Sequence, residues 1–248
     1  MSRNLFFLVF LVVFSSATAR KDFLSEQKKY PRVRQAFQEK GDFISGVLGT
    51  NQIQENALQI LLVAYKNEQI LELYAKNKTD QTYTKIANYR VCEQSGELGP
   101  KSEEGDGQVP EGFYYIDRYN PASTYYLSLG VNYPNQADRI RSKAKRLGGD
   151  IFVHGQCVTI GCLPMTDEKI KEIYLYAIQA CQNGQKLIPM YIFPFRMNQN
   201  NMQRFAEEYA DQPELLAFWK NLKTGHDLFL QTRQELRPRV ASNGKYYF

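Results

Sequence analysis

Short apolar segments separated by turn residues dominate the middle of this chain, and they restrict it to a β-rich fold. Residues 56–65 contain the clearest such run, of a length that suits a buried strand. A turn-like Lys66-Asn67-Glu68 follows, and residues 69–75 alternate apolar and polar side chains, which predicts a hairpin. The remaining strands are predicted at residues 89–92, 113–116, 125–129, 150–153 and 187–193.

One long segment has helical periodicity instead. It begins near Thr166-Asp167-Glu168, where acidic side chains suit the first turn of a helix, and its apolar residues recur at helical spacing as far as Cys181. Asn183-Gly184 is expected to end it. The predicted fold class is therefore mainly β, in a mixed α+β arrangement. Three more helices are predicted near the C-terminus, around residues 200–209, 213–223 and 226–236.

The first nineteen residues are typical of a secretory signal peptide. Arg3 supplies the positive charge, Leu5 to Phe14 is an unbroken apolar run, and Ala17-Thr18-Ala19 is a suitable cleavage site. The run is too short to span a bilayer comfortably, so no stable membrane anchor is expected after cleavage. The mature protein is therefore predicted to be secreted, in the periplasm or elsewhere in the cell envelope, where disulfides can form.

The rest of the chain is predicted to have three parts. Residues 20–55 form an N-terminal helical or linker segment whose helices are broken by Pro31, residues 56–195 form a catalytic domain, and residues 196–248 form a helical C-terminal extension. With 43% hydrophobic residues, the chain can bury one good-sized core. Its net charge of +5 is mild and has no basic block, which argues against nucleic acid as a partner.

The segment from Asp150 to Cys162 carries the candidate chemistry. An apolar strand delivers His154 at its end, a short loop of small and polar residues follows, and Gly161 precedes Cys162. A thiol is a good nucleophile only as a thiolate, so a histidine held one loop away can serve as its base. Gly161 would let the backbone approach a substrate closely, and N–H groups at the turn could stabilise an oxyanion.

This segment resembles the catalytic motif of the L,D-transpeptidase (YkuD) family, in which an HG pair precedes an [ST]-x-G-C signature. The matching residues are His154-Gly155 and Thr159-Ile160-Gly161-Cys162. Upstream segments around 95–101, 105–114 and 126–134 also resemble the family, and the C-terminal region is similar to its murein L,D-transpeptidase branch. The resemblance implies a YkuD-like β-sandwich core with flanking helices.

The same resemblance implies a reaction. Cys162 would be the nucleophile and His154 its base, with Gly161, Thr159 and Gly155 at the substrate and oxyanion site. Stem peptides of peptidoglycan would form a thioester on Cys162, with no cofactor and no metal. The chain departs from the commoner transpeptidases at Ile160, where they carry a second histidine, and after the cysteine, where they carry arginine or asparagine. These departures leave the acceptor open: an amine would give a transpeptidase, and water a carboxypeptidase or an amidase acting on stem-linked lipoprotein. A non-catalytic wall-binding module is the alternative from another class.

The other cysteines and the second histidine allow several interpretations. Cys157 could support the loop, pair with another cysteine, or join His154 and Cys162 at a metal, although no fourth ligand stands out. Cys181 lies on the apolar face of its helix and is predicted to be a buried thiol, with a disulfide to Cys92 as the minor alternative. His226 follows Gly225 at an expected helix start and is predicted to be a surface or structural residue.

Overall fold

Eight strands form one continuous sheet in the computed structural model, which describes residues 22–248. The predicted signal peptide, residues 1–19, lies outside the described residues. The strands are β1 (Leu58–Tyr65), β2 (Ile70–Asn77), β3 (Thr84–Arg90), β4 (Gly112–Asn120), β5 (Ser128–Val131), β6 (Phe152–His154), β7 (Leu163–Pro164) and β8 (Ile188–Phe193). Their order across the sheet is β3-β2-β1-β8-β4-β5-β6-β7. The predicted hairpin is confirmed, because β1 and β2 pair antiparallel from Leu58 opposite Asn77 to Tyr65 opposite Ile70.

Six α-helices flank this sheet in the described part of the chain. They are α1 (Phe23–Lys28), α2 (Pro31–Thr50), α3 (Gln136–Arg141), α4 (Asp167–Gln182), α5 (Gln199–Glu208) and α6 (Pro213–Thr232). The predicted helix α4 begins where expected, since the Thr166 side chain caps it by accepting from the Lys169 N–H. Pro31 begins α2 rather than merely interrupting a helix, because the first helical position needs no N–H donor. A short hairpin of β9 (Arg239–Val240) and β10 (Tyr246–Tyr247) ends the chain.

Side chains that alternate along the strands place two apolar cores on opposite faces of the sheet. On β1, Ile60 and Leu62 contact the core that also contains residues of α2 and α4, whereas Leu61 and Val63 contact the core of α5 and α6. β1 and β8 pair in parallel at the centre and are buried from both sides. This burial explains their near-continuous apolar sequences. The predicted fold class, a mixed α+β fold with flanking helices, is confirmed.

The C-terminal helices differ from the prediction at one point. The two predicted helices at 213–223 and 226–236 are one helix, α6, and Gly225 lies inside it. A Cβ on Gly225 would come within 2.4 Å of the Phe113 ring, so the glycine permits close packing rather than a break. His226 is buried, with its ring 5.0 Å from that of Phe193, so the structural role holds and the surface position is wrong.

No helix within residues 22–248 combines the length and the apolar character needed to cross a membrane.

Candidate active site

At the edge of the sheet, the two predicted catalytic residues lie at the ends of two neighbouring strands. His154 is the last residue of β6, and Cys162 directly precedes β7. The two strands pair in parallel, with Val153 opposite Leu163 and His154 opposite Pro164. The loop from Gly155 to Gly161 connects them, so its conformation determines how the thiol approaches the imidazole.

The His154 imidazole is buried and neutral. Its Nδ1 lies 2.6 Å from the Gly155 carbonyl oxygen. A carbonyl can only accept, so Nδ1 carries the proton and Nε2 keeps its lone pair. The ring of Tyr125 packs on the imidazole at 4.7 Å between centroids. Burial lowers the pKa of His154, which keeps the imidazole unprotonated at neutral pH.

Cys162 is a partly buried free thiol. Its Sγ donates to the Asp150 carbonyl oxygen at 3.5 Å. Burial raises the pKa of Cys162, and the Asp150 carboxylate adds to that effect, while a backbone hydrogen bond from Phe152 and the Lys101 ammonium oppose it. With one pKa raised and the other lowered, the resting pair is a neutral thiol and a neutral imidazole rather than a thiolate and an imidazolium.

The loop between the two residues is fixed at its start by α4. The Gln156 N–H donates to Asp167 Oδ1 at 3.0 Å. A Cβ on Gly155 would lie 2.7 Å from that same carboxylate oxygen and 2.9 Å from the Tyr125 carbonyl oxygen. Gly155 therefore allows α4 and the Tyr125 backbone to pack directly against the residue that follows His154.

Thr159 organises the other end of the loop. Its hydroxyl oxygen accepts from the N–H of Gly161 at 3.2 Å and of Cys162 at 2.8 Å, and it donates to the Cys162 carbonyl oxygen. The N–H groups predicted to bind an oxyanion are thus occupied by Thr159 in this structure. Gly161 has a φ of +124°, a conformation that glycine adopts without strain, and a Cβ there would lie 3.1 Å from the Gln108 carbonyl oxygen.

A disulfide anchors the middle of the loop. Cys92, two residues after β3, is bonded to Cys157, with their Cα atoms 5.5 Å apart. Of the alternatives left open for Cys157, the structure thus shows pairing with another cysteine. The predicted buried thiol at Cys181 is confirmed, and the minor alternative of a Cys92–Cys181 bond is wrong. The loop from Gly155 to Gly161 is therefore bonded covalently to the segment that follows β3, the strand at the opposite edge of the sheet.

Replacing Cys92 and Cys157 together by serine is expected to lower the free energy of unfolding by roughly 2–4 kcal/mol. The physical reason is that the bond closes a long loop across a separation of 65 residues, which restricts the unfolded chain. Denaturant unfolding with and without a thiol reductant measures the effect. Reductant should weaken the wild type and the Cys181→Ala control but leave the double serine variant unchanged. A wild type insensitive to reductant would contradict the prediction.

Two cavities border the loop of residues 97–108 or the candidate nucleophile Cys162. A small apolar one is lined by Cys162, Leu163, Tyr65 and Val109. An open groove of about 1100 Å³ runs between residues 97–108 and the C-terminal extension. Within residues 22–248, no group of three or more His, Cys, Asp or Glu side chains is arranged to hold a metal ion.

Comparisons with known proteins agree with the motif. The YkuD model, the L,D-transpeptidase catalytic domain, matches residues 59–187. An Escherichia coli (strain K12) protein, "Putative L,D-transpeptidase YafK", is 37% identical over 189 residues, or 75% of this chain and 72% of that protein.

Two solved structures are similar at lower identity. One is the helical cell shape determining protein Pgp2 from Campylobacter jejuni, with 17% identity, coverage of 82% of this chain and 80% of that one, and a TM-score of 0.45. The other is Bd1075 from Bdellovibrio bacteriovorus, with 21% identity, coverage of 62% and 57%, and a TM-score of 0.40.

Proposed function

The chain belongs to the L,D-transpeptidase (YkuD) family, and from this premise we propose that it acylates Cys162 with a peptidoglycan stem peptide and passes the acyl group to an amine. The observation that carries the proposal is the pairing of β6 with β7. This pairing has His154, whose Nε2 keeps its lone pair, at the end of β6 and the free thiol of Cys162 directly before β7, and one anchored loop joins the two strands. His154 is the proposed base and Cys162 the proposed nucleophile.

The chemistry follows from the neutral resting pair. As the substrate carbonyl arrives, the thiol exchanges its contact with the Asp150 carbonyl for His154 Nε2, which takes the proton while Sγ attacks. The tetrahedral intermediate then collapses, the C–N bond to the terminal D-Ala breaks, and His154 returns the proton to the departing amine. A thioester remains on Cys162. The acceptor amine attacks it, gives its proton to His154, and restores the thiol.

Oxyanion stabilisation is proposed to come from the backbone at Gly161 and Cys162. These N–H groups already converge on one oxygen, the Thr159 hydroxyl. A negatively charged substrate oxygen is a stronger acceptor than a hydroxyl, so it can compete for them during the reaction. In this arrangement Thr159 preorganises the donors, and Gly155 lets the loop pack close to the base.

The enzyme is proposed to act in the cell envelope, after export and removal of residues 1–19. The Cys92–Cys157 disulfide supports this location, because such bonds persist in oxidising compartments.

Tyr125→Ala is expected to shift the acid limb of kcat/KM to higher pH. The exposed Tyr125 ring helps to bury His154, and burial lowers the pKa of that imidazole. Without the ring, water reaches the imidazole and its pKa rises toward the ordinary value, so less neutral base is present at a given acidic pH. Rates between about pH 5 and pH 8 measure the shift. Tyr125→Phe should keep the wild-type profile, and an alanine variant with an unmoved limb would contradict the role.

Incubation of the mature protein with purified sacculi, followed by analysis of the muropeptides, tests the proposed function. New cross-linked dimers are the expected products.

One observation favours water as a second candidate acceptor: Leu163 and Pro164, which follow the nucleophile, are buried in β7 and offer no side chain to orient an amine. Shortened or released stems without new dimers would support hydrolysis. Unchanged muropeptides, with no acyl-enzyme in the intact mass, would overturn both in favour of a wall-binding module.

A further inference from the structure

A buried carboxylate joins the C-terminal extension to the wall of the candidate site. Glu111 has no exposed surface. One oxygen, Oε1, accepts from Lys66 Nζ at 2.9 Å and from the Gly99 N–H at 2.7 Å. The other, Oε2, accepts from Trp219 Nε1 at 2.8 Å. Both oxygens of the Glu111 carboxylate therefore accept hydrogen bonds, as a buried carboxylate requires.

The same cluster closes the base of a loop. Residues 97–111, here called the rim loop, leave the sheet after β3 and return into β4. Lys66 Nζ donates to the carbonyl oxygens of Gly99 at 2.7 Å and Val109 at 3.0 Å, so the two ends of the rim loop are tied to one ammonium. Removing one partner of a buried ion pair of this kind is strongly destabilising, because the other charge is then left buried without a partner.

The far part of the rim loop reaches the nucleophile. The Asp106 carboxylate accepts from the N–H groups of Ser102, Glu103 and Gln108, and from Lys101 Nζ at 2.6 Å. These bonds make the loop a rigid unit. Its Gln108 carbonyl lies against Gly161, the residue before Cys162, and its Lys101 charge acts on the thiol. Movement at the base of the loop would thus be transmitted to Gly161 and to Lys101.

Trp219 comes from outside the matched catalytic domain. It lies on α6, beyond residues 59–187, and is buried. The rings of Phe195 and Tyr209 pack on it at 5.2 and 5.1 Å, which fixes its indole N–H toward Glu111. Packing alone would be served by any large aromatic, whereas this contact uses the indole donor that only tryptophan supplies.

We propose that Trp219 is a positioning residue for the reaction of Cys162: through Glu111 it fixes the rim loop against the nucleophile, so that the C-terminal extension completes the active site. The inference rests on the proposed function, since it takes Cys162 as the nucleophile. It assigns the extension a role in catalysis that the matched catalytic domain does not contain.

Trp219→Phe tests the proposal, because it keeps an aromatic ring and removes the N–H. The expected result is a fall of about tenfold in the rate of acyl-enzyme formation at saturating stem peptide, with KM little changed, since small displacements at a reacting centre are costly. The pH midpoint for alkylation of Cys162 by iodoacetamide should also rise, because Lys101 is the cation that opposes the raised pKa. The other charged or titratable groups around the thiol belong to other elements: Asp150, His154, Lys66 and Glu93.

Phe229→Leu is the matched control. Phe229 lies on the same helix and is equally buried, but it packs on Tyr74 and Tyr191, away from Glu111. The Phe229→Leu variant should have a lower melting temperature than the wild type, with an unchanged acylation rate and an unchanged pH midpoint for alkylation. The proposal is overturned if Trp219→Phe matches the wild type in both measurements, or if Phe229→Leu loses as much. A wild type that alkylates but is never acylated would instead overturn the proposed function, and the alkylation midpoints would still test Trp219.

Discussion

Replacement of Cys162 by alanine is expected to abolish acyl-enzyme formation with a tetrapeptide stem, and all turnover with it. In the proposed mechanism only Sγ forms the thioester, and within residues 22–248 no other cysteine offers a free and exposed thiol. Cys181 is buried, and Cys92 and Cys157 are bonded to each other. Intact mass after incubation with the stem peptide measures the outcome: the wild type gains the mass of the acyl group, and the variant gains none.

The fold should survive this change, because Cys162 is partly exposed and its thiol contacts only backbone groups, including a weak hydrogen bond to the Asp150 carbonyl oxygen. Cys181→Ala is the matched control, since it also removes one thiol, but from the buried face of α4. It should acylate like the wild type even if its melting temperature drops. An alanine variant at 162 that still gained the acyl mass would show that the nucleophile lies elsewhere.

The parts of the fold that sequence could predict are those with strong local signals. Helix α4 has both helical periodicity and a capping threonine, Thr166, and it begins where expected. The edge strand β3 has few apolar residues because most of it is exposed or half-buried, so the sequence indicated only its last part, near Tyr89. Helix α3 is not predictable from periodicity: it has six residues, and its signal is the reciprocal cap between Asn135 and Asp138.

Sequence and structure differ where contacts with distant residues override local preference. Gly225 is predicted to lie between two helices, but its missing side chain makes room for Phe113 and Phe248 within one continuous helix. Pairing of Cys92 with Cys157 depends on β3 and the catalytic loop meeting in space, which no spacing in the chain indicates.

In the candidate site, too, some residues are predictable from the sequence and others are not. The motif places His154 and Cys162 because strand, loop and glycine are adjacent in sequence. The residues proposed to act through them come from other parts of the chain: Tyr125 packs on His154, and Trp219 on α6 donates to Glu111 at the base of the rim loop. In the sequence these two residues are recognisable only as aromatic residues, and aromatic residues are equally typical of a core.

His154→Gln is expected to lower kcat/KM by about 10²–10⁴-fold, the usual contribution of a general base. Glutamine is similar in size and can still hydrogen-bond, but it cannot take the thiol proton. The loss should be large because burial raises the pKa of Cys162, so little thiolate forms at neutral pH without a base. His226→Gln is the matched control, since it changes the second of the two histidines in the chain, which is buried beside Phe193. It should affect stability and not the pH profile.

The pH dependence makes the test specific to the base. In the wild type the reaction needs neutral His154, so kcat/KM should fall as the pH drops through the pKa of that imidazole. Burial lowers this pKa, so the fall should come below the ordinary histidine value of 6.5. In His154→Gln that limb should disappear, and the residual rate should climb toward alkaline pH with the fraction of Cys162 thiolate. A glutamine variant that kept the wild-type acid limb would mean that another group takes the proton, and the pairing of β6 with β7 would then be structural rather than catalytic.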